Sequence, residues 1–302
     1  MLLIKNLTLN LFISIIKYNM GGVIMKLNIK PLSKVMGAEI TGIDLKDKLD
    51  DATKKELCKA VTDYLVVCIR NQDLKPKELA NVSRIFGTPK KYFIKDATVD
   101  NVPEVIVVSN RSKEANNKPK VKASHWHTDD SYMAKPATLT FIYPEILPKN
   151  GGATDFINCY NVFQDLPETL KNKICDLKAV HKWLSRRNVS EVLTLSEDEE
   201  KLTPDVEHTF IRTHPISKQK SLYINPNRID HIAGFDEQES DRLLDELYNF
   251  SFQSKFQYSH NYQKGDLVIW DNRCTMHRAN SEYDINQLRI MHRVMLEGEA
   301  VS

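Results

Sequence analysis

A chain of 302 residues, 41% hydrophobic and 27% charged, can bury a sizeable core as one large domain or two small ones. Its net charge of +2, with no basic tract interleaved with aromatics, gives no reason to expect a nucleic-acid partner. Five scattered cysteines without a C-x-x-C pair argue against a disulfide framework and for a reducing, cytoplasmic setting.

Residues 1–24 are set apart from the fold. Their apolar run, Leu7 to Ile16, is broken by Asn10, is too short to span a bilayer and lacks a small-residue cleavage site. A start at Met25 is the expectation, since Gly21-Gly22-Val23 could be encoded by a purine-rich ribosome-binding sequence. Residues 25–302 are then expected to form a single domain with no membrane partner.

In chain order, KLNIKPL and AEITGIDL read as short strands. DATKKELCKAVTDY reads as a helix with Leu57, Val61 and Tyr64 on one face and Asp51 as its N-cap. LVVCIR (65–70) reads as a buried strand. KPKELANVSRIFG reads as a second helix, with Pro76 near its start and Gly87 at its end. EVIVVSN (104–110) is a strand and RSKEANNKPKVKA (111–123) a polar loop. ATLTFIYPEI (137–146) and GGATDFINC (151–159) carry two more strands, and PETLKNKICDL a helix. The stretch 186–209 is charged and aperiodic, and reads either as a solvated insertion or, from about 184, as a lid over a site. Beyond it, HTFIRTHP, KSLYIN, FQYSHNY, DLVIWDN and LRIMHRVML are strands interrupted by the helix DEQESDRLLDELYNF, whose apolar face is Leu243, Leu244, Leu247 and Tyr248. Many short strands with few helices, and no G-x-G-x-x-G after a strand, point to a sandwich or jelly roll.

The chemistry starts at SHWHTDDSY (124–132). If this stretch is extended, His125, His127 and Asp129 share one face. An H-x-D pair needs a third ligand, and His277 in GDLVIWDNRCTMHRAN stands just after a strand and a turn. Two histidines and one carboxylate suit non-heme Fe(II), because they leave coordination positions open, whereas a structural zinc site is closed and usually uses cysteine. A bound 2-oxo acid could supply electrons to such an iron, and its far carboxylate needs a cation. Arg289 and Arg293 lie four apart within the apolar segment 288–296 and on a regular strand would share a face. Two other readings stay open at this point. One is a zinc hydrolase using the His125/His127 pair, and the other a non-catalytic jelly-roll binding protein.

Taken together and in order, HWHTDDSY, GGATDF, IRTHPISKQKSLYIN, GDLVIWDNRCTMHRA and RIMHR resemble the taurine dioxygenase/TfdA family of Fe(II)- and 2-oxoglutarate-dependent dioxygenases. The resemblance runs from about Lys26 to Glu297. It implies a mixed, β-rich fold, a double-stranded β-helix (jelly roll) with α-helices packed outside. It implies iron ligands His127, Asp129 and His277, with Thr154 and Arg289 on 2-oxoglutarate and Arg293 on the anionic group of the substrate. His125 is not a ligand in the family pattern and is expected at the pocket edge or hydrogen-bonded. The implied reaction couples loss of CO2 from 2-oxoglutarate, leaving succinate, to oxidation of a substrate C–H bond by O2, most simply hydroxylation. Relatives are commonly dimers or tetramers, so a homo-oligomer is expected.

The match departs from taurine enzymes in two places, after the second helix and after SLYIN, where they carry an aromatic pocket residue and this chain has Pro226-Asn227-Arg228. Where they carry a substrate-binding histidine, this chain has Lys90, Lys91 and Tyr92 in FGTPKKYF. Taurine is therefore not the expected substrate. A small carboxylate or sulfonate is, with Tyr92 and Lys91 as further contacts. Some relatives make isonitriles from amino-acid-derived acids, and that outcome is an alternative. Arg228, after SLYIN, reads either as a second cation of the pocket or as a loop arginine facing solvent.

Overall fold

The computed structural model describes residues 27–92, 98–111, 120–188 and 196–301. The extension 1–24, most of the polar loop 111–123 and the middle of the charged stretch 186–209 lie outside them.

Strands β1 (Asn28–Pro31), β2 (Ala38–Thr41), β3 (Val66–Ile69), β4 (Thr98–Val99), β5 (Val102–Ser109) and β6 (Leu139–Ile146) join β14 (Leu267–Asp271) and β16 (Ile290–Met295) in one eight-stranded sheet. Its order is β1-β2-β3-β14-β6-β16-β5-β4. Opposite it, β7 (Thr154–Asn158) is the centre of a three-stranded sheet between β13 (Gln257–His260) and β15 (Thr275–Ala279). Two smaller sheets extend that layer. One pairs β10 (Ile211–Thr213) with β11 (Lys220–Leu222), and the other orders β12 (Ile229–Ile232), β8 (Lys178–His181) and β9 (Val206–Thr209).

The period-two alternation of buried strands divides the core into three layers. Val66, Cys68, Val268 and Trp270 turn inward to meet Phe156 and Tyr160 between the two main sheets. Their neighbours Val67, Ile69, Leu267 and Ile269 turn outward, against helices α1 (Asp51–Tyr64) and α2 (Pro76–Ser83). On the far side, Ile157 and Met276 pack against α3 (Cys159–Asp165), α4 (Glu168–Ile174) and α6 (Glu237–Ser251). The short helix α5 (Glu197–Lys201) lies apart on the surface. This is the expected jelly roll with helices outside.

Local details differ from the sequence reading. The cap of α1 is Asp50, one residue earlier, because its carboxylate accepts the Thr53 amide at 2.7 Å. Residues 206–209 are neither insertion nor lid but a strand paired to β8. The stretch 124–132 is not a regular strand: within it only His127 makes a bridge, to His277, and Asp130 takes a left-handed φ of 57°. Arg289 precedes β16, and a register shift falls between Ile290 and Met291, so simple strand parity does not relate Arg289 to Arg293.

Candidate metal centre and active site

His277 sits on β15 between the outward-facing Met276 and the end of the sheet, in register with the inward Phe156. Its ring therefore stands at the mouth of the sandwich, 4.5 Å from the Trp270 ring centroid. Reciprocal backbone hydrogen bonds clamp His127 beside it, His127 N donating to His277 O at 3.0 Å and His277 N to His127 O at 2.7 Å. Past His127 the chain turns, and Asp129 swings into the same space. Its carboxylate lies 3.9 Å from His127 Nε2 and 3.7 Å from His277 Nε2. The three donor atoms lie within 4.8 Å of one another, a spacing that one ion can bridge.

The protonation states suit a cation. Burial lowers the His127 pKa and pushes that of His277 well below the ordinary imidazole range, which favours the neutral form that binds a cation, while Asp129 opposes the shift at both rings. His127 Nδ1 lies 2.8 Å from the carbonyl of His125, which assigns the proton to Nδ1 and leaves the Nε2 lone pair toward Asp129. Burial alone would raise the Asp129 carboxyl, but His277, Arg293, His127 and the Thr140 hydroxyl outweigh it and keep the group ionised. The Thr140 hydroxyl donates to Asp129 Oδ2 at 2.7 Å and in turn accepts from Asn272 Nδ2 at 2.8 Å.

Two other clusters could hold metal by proximity alone, Cys68/His260/Asp266 and His214/Asp271/Cys274. Both are already closed ion-pair networks. Arg70 Nη1 reaches Asp266 at 2.7 Å, and Arg273 grips Asp271 through Nε and Nη2 at 2.8 and 2.6 Å. Neither is among the residues lining the cavity at His127 and Asp129.

Thr154 and Arg289 share Tyr262 as a neighbour. The Thr154 hydroxyl and Tyr262 Oη are 2.9 Å apart, and the Arg289 guanidinium lies 5.9 Å from the Tyr262 ring centroid. Arg289 Nε donates to Gly152 O at 3.1 Å, yet among the described residues no carboxylate pairs with this buried arginine. Arg293 reaches the centre itself, with Nη1 3.4 Å from Asp129 Oδ1, while its Nε is buried without a partner among the described residues.

A cavity of about 170 Å³ opens beyond the metal cluster, lined by Tyr92, His127, Asp129, Asp130, Tyr132, Trp183, Arg228 and Arg293 among others. Tyr92 is among the residues lining this cavity. Lys91 is exposed and outside this lining; its neighbour Lys90 turns inward instead and binds Asp130 at 2.5 Å. Arg228 is a cavity residue, not a solvent-facing one. His125 is exposed and, among the described residues, is not part of the metal-type clusters, so the H-x-H pair that a zinc hydrolase needs is not formed by them. Trp183 and Asn188 line the cavity, which places the start of the suggested lid at its rim. Sequence reasoning gave no role to Tyr132, Trp183, Asp130 or Tyr262. Tyr132 and Asp130 stood inside the quoted motif, but Trp183 and Tyr262 carried no local signal.

The family model described as taurine catabolism dioxygenase TauD, TfdA family, matches residues 28–295. The chain is 30% identical over 285 residues to an alpha-ketoglutarate-dependent 2,4-dichlorophenoxyacetate dioxygenase of Cupriavidus pinatubonensis, covering 90% of this chain and 98% of that one. It is 28% identical over 285 residues to an alkylsulfatase of Acinetobacter baylyi, covering 92% and 87%. The solved structure of AAD-2 in complex with Mn(II) and N-oxalylglycine superposes with a TM-score of 0.78 at 26% identity, covering 92% of this chain and all of that one. With this likeness and a two-histidine, one-carboxylate cluster at the mouth of a jelly roll, the chain belongs to the TauD/TfdA family and is an Fe(II)- and 2-oxoglutarate-dependent dioxygenase.

Proposed function

We propose that the enzyme oxidises, most simply by hydroxylation, a C–H bond of a small carboxylate or sulfonate, with release of succinate and CO2. The observation that carries this reading is a pair of arginines on one segment: Arg289, buried with no carboxylate partner among the described residues, and Arg293, which lines the cavity and whose one acid partner among the described residues is the ligand Asp129. Relatives whose names specify phenoxy acids and sulfate esters support an anionic substrate.

Iron held by His127, Asp129 and His277 would supply the exchangeable positions at which 2-oxoglutarate and dioxygen react. The protein does the rest. Arg289 offers a planar fork to the far carboxylate of 2-oxoglutarate, and Thr154, held by Tyr262, offers a hydroxyl beside it. Burial keeps the Tyr262 phenol protonated, its pKa pushed up to about 12, so it remains a neutral hydrogen-bonding partner. Arg293 receives the substrate anion, and Tyr92, Tyr132 and Trp183 wall the cavity against bulk water.

The test is an anaerobic titration with Fe(II) and 2-oxoglutarate. A weak visible charge-transfer band is expected in the wild type and should vanish in His127→Ala and Asp129→Ala. Succinate release is then followed across a panel of carboxylates and sulfonates. A wild-type protein that forms no chelate band, or that releases succinate only with neutral compounds, would refute the reading.

A further inference from the structure

The charges lining the cavity do not balance for a substrate with one anionic group. Its ionisable members, apart from tyrosines, are His127, Asp129, Asp130, Arg228 and Arg293. Asp129 and His127 belong to the metal cluster. Asp130 is neutralised by Lys90 at 2.5 Å and also accepts the Tyr132 hydroxyl at 3.1 Å. Two guanidiniums remain.

Arg228 is held firmly in this position. Its backbone N donates to Asn225 O at 3.0 Å, and its carbonyl accepts Lys182 N at 2.8 Å. The guanidinium lies 4.6 Å from the Trp183 ring centroid and 5.1 Å from that of Tyr132, and Nη1 donates to the Trp183 carbonyl. That uses one of five donors. No carboxylate pairs with it among the described residues. Half-buried and buried arginines elsewhere mostly meet an acid directly: Arg70 meets Asp266 and Glu39, Arg187 meets Asp241 and Asp245, and Arg273 meets Asp271, while the deeply buried Arg212, outside this cavity, has Glu299 at 3.9 Å and lies over the Tyr223 ring. Withdrawing a guanidinium from water without an anion is costly, so an arginine left this way in a cavity is a binding group awaiting its ligand. Arg289 is likewise buried with no carboxylate partner among the described residues, and the reading above gives it the far carboxylate of 2-oxoglutarate.

We propose that the substrate carries two acidic groups, one held by Arg293 beside the metal and the second by Arg228 against the Trp183–Tyr132 wall. A dicarboxylate, or a carboxylate paired with a sulfonate, is the class that fits. The small cavity restricts it to a short molecule. Fixing both ends would present one C–H bond of the intervening chain to the metal, which is an orientational role for Arg228. The inference rests on the anionic-substrate reading and on Arg293 in particular.

The experiment loads the full-length protein with Mn(II) and N-oxalylglycine, so that the co-substrate site is filled. Binding of short dicarboxylates, glutarate through suberate, and of the half-amide of each is then measured by calorimetry. In the wild type a dicarboxylate should bind about 10-fold or more tighter than its half-amide. Arg228→Met should remove that difference while leaving half-amide affinity unchanged, and Arg228→Lys should restore part of it. If dicarboxylate and half-amide bind alike, if Arg228→Met weakens both equally, or if no dicarboxylate binds, the two-anion inference is overturned. Arg293→Met separates this from failure of the underlying reading: it should abolish binding of both series, and if it changes neither, the anionic-substrate reading fails as well.

Discussion

Thr140→Val tests whether the metal site depends on its hydrogen-bonded support. Thr140 is fully buried on β6, opposite Trp270 of β14. Its hydroxyl donates to Asp129 Oδ2 at 2.7 Å and accepts from Asn272, whose Oδ1 takes the Trp270 indole N–H at 3.0 Å. Valine keeps the shape and removes the hydroxyl. A hydrogen bond to a charged acceptor contributes about 1.5–3 kcal/mol, and each ~1.4 kcal/mol is tenfold in an equilibrium constant. The Kd for the metal should therefore rise about 10- to 100-fold, the range seen when groups supporting metal ligands are removed. The apo protein should also lose about 1–3 kcal/mol of stability, because an Asn272 N–H is left buried without its acceptor. The assay is competition of Mn(II) or Fe(II) against a chromophoric chelator at saturating N-oxalylglycine, with Thr140→Ser as the control that regains affinity. A folded Thr140→Val protein whose metal affinity stays within about twofold of wild type would refute the idea that this chain of hydrogen bonds holds the Asp129 carboxylate in place.

Three further outcomes are expected. Arg289→Met should weaken 2-oxoglutarate by about 30-fold or more, read by anaerobic titration, while leaving metal affinity in the absence of 2-oxoglutarate near wild type. Gly151→Ala should destabilise the fold by about 2–3 kcal/mol, seen as a lower Tm, because φ is +74° and the new Cβ would lie 2.2 Å from the Glu282 carbonyl oxygen. His181 and His208 are buried and held neutral, with burial as the main cause; His181 also faces His208, and His208 faces Arg212. Their folded pKa values lie below 6.5, so the stability they permit is fully present above pH 6.5 and is lost as pH falls toward the folded values, where only the unfolded chain takes up protons. Urea unfolding of the apo protein from pH 8 to about 5.5 should show this decline at up to about 1.4 kcal/mol per pH unit per group. His208→Gln should flatten it, and an unchanged slope in that variant would contradict the assignment.

Much of the molecule was legible because its signals are local. The helices at 51–64 and 237–251 announce themselves by an aspartate cap and an apolar face, and the inner strands by runs of β-branched residues. The ligand set, Thr154 and the two arginines were readable because metal and co-substrate chemistry demands particular side chains in a particular order. What failed was geometry set by partners distant in sequence. HWHTDD reads as a strand, yet it is a bent segment fixed by one bridge to His277 and by a left-handed Asp130. KAVH and IDHI are short and mixed in polarity, and β8 and β12 are fixed by pairing with each other, by β8 pairing with β9, and by packing beneath α6. Lys90 turns to Asp130 and Lys91 to the solvent, a difference of one residue that depends on the backbone pairing of 89–90 with the last strand's end. Trp183, Tyr132, Arg228 and Tyr262 lie in turns and loops, where no period predicts which way a side chain points. The order of chemical groups along the chain therefore sufficed to identify the reaction class. Only the packed structure, by deciding which loop side chains share one cavity and which charges there go unmatched, sets the kind of molecule that the site can hold.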